Sequence, residues 1–255
     1  MIFLSTSICF TIRFRILSLL KENLLITVEM SDDILQIERT RFKISLEIAF
    51  LFTLLIWLVK LVEIIEGTSF YRLGLLPRSI SGLTGIVTAP LIHSDFNHLI
   101  NNTITIIILL AGLVYFYRDL WYRILLLSWL VSGVMVWIAA RTSYHIGCSG
   151  LIYAIASFIF FSGVIRKNIN LMAISLLVVF LYGGLVWGVL PIFPQISWEY
   201  HLFGGITGAI LALVYRKQGP PPQTWSWMSD TAEDINETPE YWESEIFDES
   251  DKEKL

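Results

Sequence analysis

Six apolar stretches, each long enough or nearly long enough to cross a bilayer, constrain this chain more than any other feature. They cover residues 44–65, 91–117, 122–140, 146–165, 171–190 and 200–215. A hydrocarbon core about 30 Å thick takes about 20 mostly apolar residues at helical rise. The sixth stretch is short and carries Gly204, Gly205 and Gly208, so topology rather than hydropathy makes it a span. Short connections between the later stretches predict antiparallel neighbours in a compact bundle. The expected fold class is therefore an all-α membrane protein with six transmembrane helices.

Composition agrees with this reading. The chain has 255 residues, 55% hydrophobic and only 16% charged, against roughly 25% charged in a soluble domain. Cys9 and Cys148 are too few for a disulfide framework, and no clustered basic stripe offers a nucleic-acid surface.

Lysine and arginine fall in alternate loops, as an even number of spans requires. Arg39, Arg41 and Lys43 precede the first span, Arg118 and Arg123 link the second and third, Arg166 and Lys167 link the fourth and fifth, and Arg216 and Lys217 follow the sixth. The opposite loops hold Arg72, Arg78 and Arg141. Because positive loops stay on the cytoplasmic side, both termini are expected there.

The domain plan has three parts. Residues 44–217 form the six-helix body, and residues 1–43 form an N-terminal cytoplasmic or interfacial segment. Within that segment, Met30 ahead of Ser31, Asp32 and Asp33 is an alternative start of translation. Residues 218–255 hold 11 of the 22 acidic side chains and two lysines, a tail of −9 that cannot bury enough apolar surface to order itself. Trp225, Trp227, Tyr241, Trp242 and Phe247 make a docking role for the tail the alternative to a solvated one.

Polar groups inside spans are costly unless they face a cavity or a partner, so each marks a candidate site. His98 and Asn102 lie one turn apart on span two. Gly147-Cys148-Ser149-Gly150 opens span four, and His201 with Gly204 and Gly208 opens span six. Even-numbered spans run in the same direction, so all these residues belong near one leaflet, the outer one. A second span starting at Leu91 places His98 about 10 Å below its start.

The chemistry this set suits is acyl transfer. A serine hydroxyl needs a base, and a neutral imidazole is the usual one near pH 7; Ser149 and His201 supply the pair. Gly204-xxx-Gly208 is a small-residue surface for close packing, able to bring spans four and six together. His98, the Asn102 amide and the Ser149 N–H are candidate donors to an oxyanion. Taken singly these features read as packing, and only their joint placement points to catalysis. A zinc set of His93, His98, His145, Cys148 and His201 lacks the usual ligand spacings, so no metal and no cofactor are expected.

These residues resemble the rhomboid intramembrane serine proteases. The resemblance covers residues 44–217 and rests on His98 to Asn102, Gly147-Cys148-Ser149-Gly150, and His201 followed by Gly204 and Gly208. It implies a six-helix rhomboid-like bundle, a Ser149–His201 dyad, and an oxyanion hole using His98 and Asn102. Gly147, Gly150, Tyr153, Gly204 and Gly208 are supporting residues, with Tyr153 stacked on His201. It further implies other transmembrane proteins as substrates, cut in or beside an unwound helix after a small residue. The expected location is a bacterial plasma membrane, with the lipid bilayer as partner and no nucleic acid.

The chain departs from the family pattern in places. Thr84 and Gly85 stand where a Trp-Arg pair is common, and Tyr200 stands where a small residue precedes the histidine, narrowing access to the pocket. Lys60 and Glu63 match no family motif and are spaced to pair on one helix face. Two other function classes stay open: a catalytically silent rhomboid-like protein binding membrane clients, and a proton-coupled transporter using His98 and His201. Retention of both Ser149 and His201 speaks against the first. The lack of clear internal repeats or paired broken helices speaks against the second.

Overall fold

A computed structural model describes residues 3–181, 187–192 and 196–221. The aromatic and acidic tail from residue 222, and residues 182–186 of the fifth apolar stretch, lie outside the described residues. The first helix, α1 (Phe3–Ile65), continues without a break for 63 residues. No glycine or proline occurs before Gly67, so nothing in the backbone interrupts it. The expected separation of residues 1–43 from the first span is thus not a break in the helix. α1 stops where Gly67 takes a φ of 61°, a conformation that costs glycine little. The Gly67 and Thr68 N–H groups turn back to the carbonyls of Ile64 (3.1 Å) and Glu63 (3.2 Å).

A long connection follows, built from three short 3-10 turns and the single α-turn Gly85–Thr88. Its Leu75 pairs with His145 through two backbone hydrogen bonds of 3.0 and 2.9 Å, an isolated bridge. The Trp137 and Trp129 indoles donate to the carbonyls of Ser79 (2.9 Å) and Ile86 (3.0 Å). The Arg78 guanidinium donates to the Ala140 carbonyl (2.6 Å) and the Thr142 hydroxyl (2.9 Å). Thr84 and Gly85 lie in and beside the α-turn, and Gly85 rests on the Leu75 backbone with no room for a side chain.

Among the described residues the further helices are α2 (Phe96–Phe116), α3 (Trp121–Ala139), α4 (Ser149–Arg166), α5 (Ile169–Leu181) and α6 (Trp198–Val214). Among the described residues, four helices are long and apolar enough to cross a membrane: the Asp32–Ile65 part of α1, α2, α3 and α4. α6, with 17 residues, falls short of the roughly 20 that a straight crossing takes, and α5 is described over the 13 residues before residue 182. Among the described residues, a helix stands at each of the six expected positions, and four of them show the full length.

α2 starts five residues later than hydropathy suggests. Ile92 is extended (φ −99°, ψ 135°), and the Asp95 carboxylate caps α2 by accepting the His98 N–H at 2.9 Å. His98 therefore sits in the first turn of its helix, not about 10 Å down it.

α4 is the centre of the bundle, touching α2, α3, α5 and α6. Its Leu151, Ile152, Ala154, Ile155, Phe158 and Ile159 are at most 2% exposed. α1 packs on α2 and leaves Phe50, Leu51, Leu54, Leu55, Leu58 and Leu61 uncovered, an apolar face suited to lipid rather than water. α4 and α6 meet through glycine. Gly204 lies on the carbonyl of Gly150, and Gly208 lies on the carbonyl of Ala154 and 2.8 Å from the Phe158 nitrogen measured from an ideal Cβ. Neither contact leaves space for a methyl group, so backbone approaches backbone.

Candidate active site

Ser149 is the first residue of α4, and the turn that delivers it is held on two sides. The Gly147 N–H donates to the Ala89 carbonyl (2.9 Å), and the Cys148 N–H donates to His93 Nε2 (3.4 Å). Gly147 has a φ of 102°, in the region that side chains rarely adopt, and an added Cβ would come within 2.7 Å of the His98 ring. Glycine at this position thus serves both the turn and the close approach of the imidazole.

Across the α4–α6 contact, His201 Nε2 lies 2.7 Å from Ser149 Oγ. His201 Nδ1 lies 2.8 Å from the Gly188 carbonyl oxygen. A carbonyl only accepts, so Nδ1 carries the proton, and the lone pair of a neutral ring is left on Nε2, facing the serine hydroxyl. The Tyr153 ring stacks on the imidazole, with centroids 4.3 Å apart and planes 11° from parallel. His201 is 9% exposed.

The other expected residues gather at Gly147, two residues before Ser149. The His98 ring and the Asn102 amide both face Gly147, with Asn102 Nδ2 3.6 Å from where its Cβ would be. Asn102 is buried, and its Nδ2 has no hydrogen-bond partner. A buried amide without an acceptor is costly, and here it stands beside Gly147, two residues before Ser149. The structure therefore brings Ser149, His201, His98, Asn102, Gly147, Gly150, Tyr153 and Gly204 to one place. Gly208 lies a turn further along α6.

Tyr200 does not narrow the pocket mouth, as its bulk suggests. It is 0% exposed, its ring lies on Gly150, and it packs with Leu75, Ala89, Val136 and Ala140. The physical reason is rotation along α6: the residue next to His201 points about 100° away from it, into the bundle.

Several contributors escape a reading by motif. Ser94 Oγ lies 2.6 Å from Asp95 Oδ2 and 3.2 Å from His98 Nδ1. Asp95 is held below the usual carboxylate range, chiefly by the Ser94 hydroxyl and then by the His98 N–H. His93, in the connection before α2, is 2% exposed, and its ring meets that of His98 edge-on at 5.0 Å. Burial, with the neighbouring His98 adding to it, pushes the His93 imidazole down to about 3. Lys60 and Glu63 pair at 2.7 Å on α1. Among the described residues, no group of three or more His, Cys, Asp or Glu side chains is arranged to hold a metal ion. His145 instead donates from Nε2 to the Arg141 carbonyl at 3.2 Å.

The rhomboid domain family matches residues 81–218, just over half of the chain. This chain belongs to the rhomboid family. An uncharacterized protein of Mycobacterium tuberculosis (strain ATCC 25618 / H37Rv) is 33% identical to this rhomboid over 176 residues, 63% of this chain and 71% of the relative. An uncharacterized protein of Mycobacterium bovis matches to the same extent. One of Mycobacterium leprae is 32% identical over 176 residues, 63% of this chain and 67% of its own. Rhomboids are in general intramembrane serine proteases, and the apolar helices make this one an integral membrane protein.

Proposed function

We propose that this rhomboid is an intramembrane serine endopeptidase that hydrolyses peptide bonds in or beside transmembrane helices of other membrane proteins. The observation that carries the reading is the 2.7 Å contact between Ser149 Oγ and a His201 ring whose other nitrogen faces the Gly188 carbonyl.

In this mechanism the Ser149 hydroxyl attacks the scissile carbonyl while its proton passes to His201 Nε2. The imidazolium that forms keeps its Nδ1–H on Gly188 and its face on Tyr153. The carbonyl oxygen becomes an oxyanion, and the unpartnered Asn102 amide, His98 and the Ser149 N–H at the start of α4 are the donors that receive it. Collapse of the tetrahedral intermediate breaks the C–N bond, and His201 returns the proton to the leaving amine. Water then adds to the Ser149 ester, with His201 as base and then acid, releasing the carboxylate and restoring the serine. Each proton is taken and returned by the same nitrogen, and no cofactor enters.

The arrangement of charged loops supports cytoplasmic termini and a site near the outer leaflet. A substrate helix must unwind to present its carbonyl, since a helical peptide group is already hydrogen-bonded within its own segment.

The test is cleavage of a transmembrane reporter in proteoliposomes by the wild type, Ser149→Ala and His201→Ala. Wild-type cleavage with both variants silent is expected, together with covalent labelling of Ser149 by a fluorophosphonate. Equal cleavage by Ser149→Ala would refute the reading.

A further inference from the structure

Lys60 and Glu63 form an ion pair on the last turns of α1, with side chains only 12% and 8% exposed. A buried pair of this kind rarely adds net stability, because desolvation offsets the attraction. Its presence in an apolar span calls for another use. Both charges have further partners. Lys60 Nζ donates to the carbonyls of His93 (3.1 Å) and Ser94 (3.3 Å). Glu63 Oε1 accepts the Phe70 N–H at 2.8 Å. One turn of α1 thereby holds both ends of the long connection between α1 and α2.

The far end of that connection is where the consequence lies. The two residues whose carbonyls meet the ammonium are the two whose side chains reach the oxyanion side of the site. His93 Nε2 accepts the Cys148 N–H, next to the nucleophile, and the Ser94 hydroxyl lies 3.2 Å from His98 Nδ1. Three donors on a tetrahedral ammonium are here shared among a carboxylate and two consecutive carbonyls, which fixes the backbone of residues 93 and 94 relative to α1. We propose that Lys60 is a positioning residue: through His93 and Ser94 it sets where the His98 imidazole stands beside Gly147 and Ser149. Glu63 holds the ammonium in place. This inference rests on the Ser149–His201 reading and on His98 as an oxyanion donor.

The experiment is a double-mutant cycle on the full chain in proteoliposomes. Lys60→Met, Lys60→Arg and the uncharged pair Lys60→Met with Glu63→Leu are each made with His98 present and with His98→Ala. Cleavage of the transmembrane reporter gives kcat and KM, and thermal unfolding of each variant is followed in parallel. Misplacing a catalytic group by about 1 Å costs up to about 100-fold in rate, so Lys60→Met is expected to lower kcat about 10-fold with KM little changed. On the His98→Ala background the further loss should shrink to about twofold. Lys60→Arg, which keeps the donors, should recover most of the rate. The uncharged pair leaves no lone buried charge and is expected to fold like the wild type, yet to show the same loss of kcat.

Three results overturn the role: the uncharged pair turning over like the wild type, an undiminished Lys60→Met loss when His98 is absent, or no recovery by Lys60→Arg in a protein that unfolds at the wild-type temperature. A Ser149→Ala control separates the two levels. If it cleaves as well as the wild type, the protease reading itself fails; if it is silent while Lys60→Met is fully active, only the positioning role fails.

Discussion

Gly204 and Gly205 are neighbours on α6, and the structure predicts opposite outcomes when each becomes alanine. A Cβ on Gly204 would lie against the Gly150 carbonyl oxygen, 3.0 Å from the Gly150 carbonyl carbon and 3.3 Å from Tyr153 Cβ. Ordinary contact begins at 3.4 Å, so α6 has to move outward by at least 0.4 Å, and by more to clear the oxygen. His201 stands three residues away on the same helix and Ser149 is next to Gly150. A 0.4 Å displacement along the Ser149–His201 line would stretch that contact from 2.7 to 3.1 Å, past the usual limit of about 3.0 Å for a hydroxyl donor. Gly204→Ala is expected to lower kcat/KM about 10-fold or more and to cost about 1–3 kcal/mol of stability through overpacking. A Cβ on Gly205 meets nothing within 4 Å. Gly205→Ala should keep full activity and gain about 0.5–1 kcal/mol from reduced unfolded-chain entropy. Reporter cleavage, the rate of fluorophosphonate labelling at Ser149, and thermal unfolding measure all three quantities. Full activity in Gly204→Ala, or equal damage in Gly205→Ala, would refute the argument that helix separation governs the serine–histidine contact.

Two further predictions concern the connection before α2. Asp95→Ala should lose about 1 kcal/mol of stability as the α2 cap disappears, whereas Asp95→Asn, which keeps an acceptor for the His98 N–H, should lose only a few tenths; equal loss in both, by denaturant or heat, would discount the cap. For pH, His93 is buried as the neutral ring, with its value pushed from 6.5 down to about 3. The unfolded chain therefore binds the extra proton first, and stability present above pH 6.5 drains away as pH falls toward 3, by roughly 1.4 kcal/mol per pH unit for this one group. Thermal unfolding as a function of pH should show a shallower acid slope in His93→Gln than in the wild type, and identical slopes would show that His93 does not titrate on unfolding.

The parts of the fold and site that depend on side-chain type and spacing were legible in the sequence. Apolar length marks α1 to α4 because lipid rewards little else. The serine between glycines and the histidine followed by glycines at three and seven residues carry their helix contact in their spacing. What was not legible depends on backbone groups and on directions. The Gly188 carbonyl that faces His201 Nδ1 leaves no trace in residue type. Hydropathy averaged through Ser94 and Asp95 and so started α2 at Leu91, although a serine and an aspartate ahead of an apolar run are a capping signal. The lack of glycine and proline before Gly67 favours one continuous α1, a signal that lies in what is missing. For Tyr200 the residue type carries a size, and its direction comes from the rotation of α6.

That direction has an outcome for anyone altering this protein. The phenol ring of Tyr200 and the bare α-carbon of Gly150 are two halves of one volume, shared between α4 and the connection that carries Leu75 and Ala89. A small residue at 200 alone would open a hollow beside Gly150, and adding bulk at 150 alone would have nowhere to go. In this chain the packing beside the serine and the packing beside the histidine are thus one problem, and a change at either position is felt at the other.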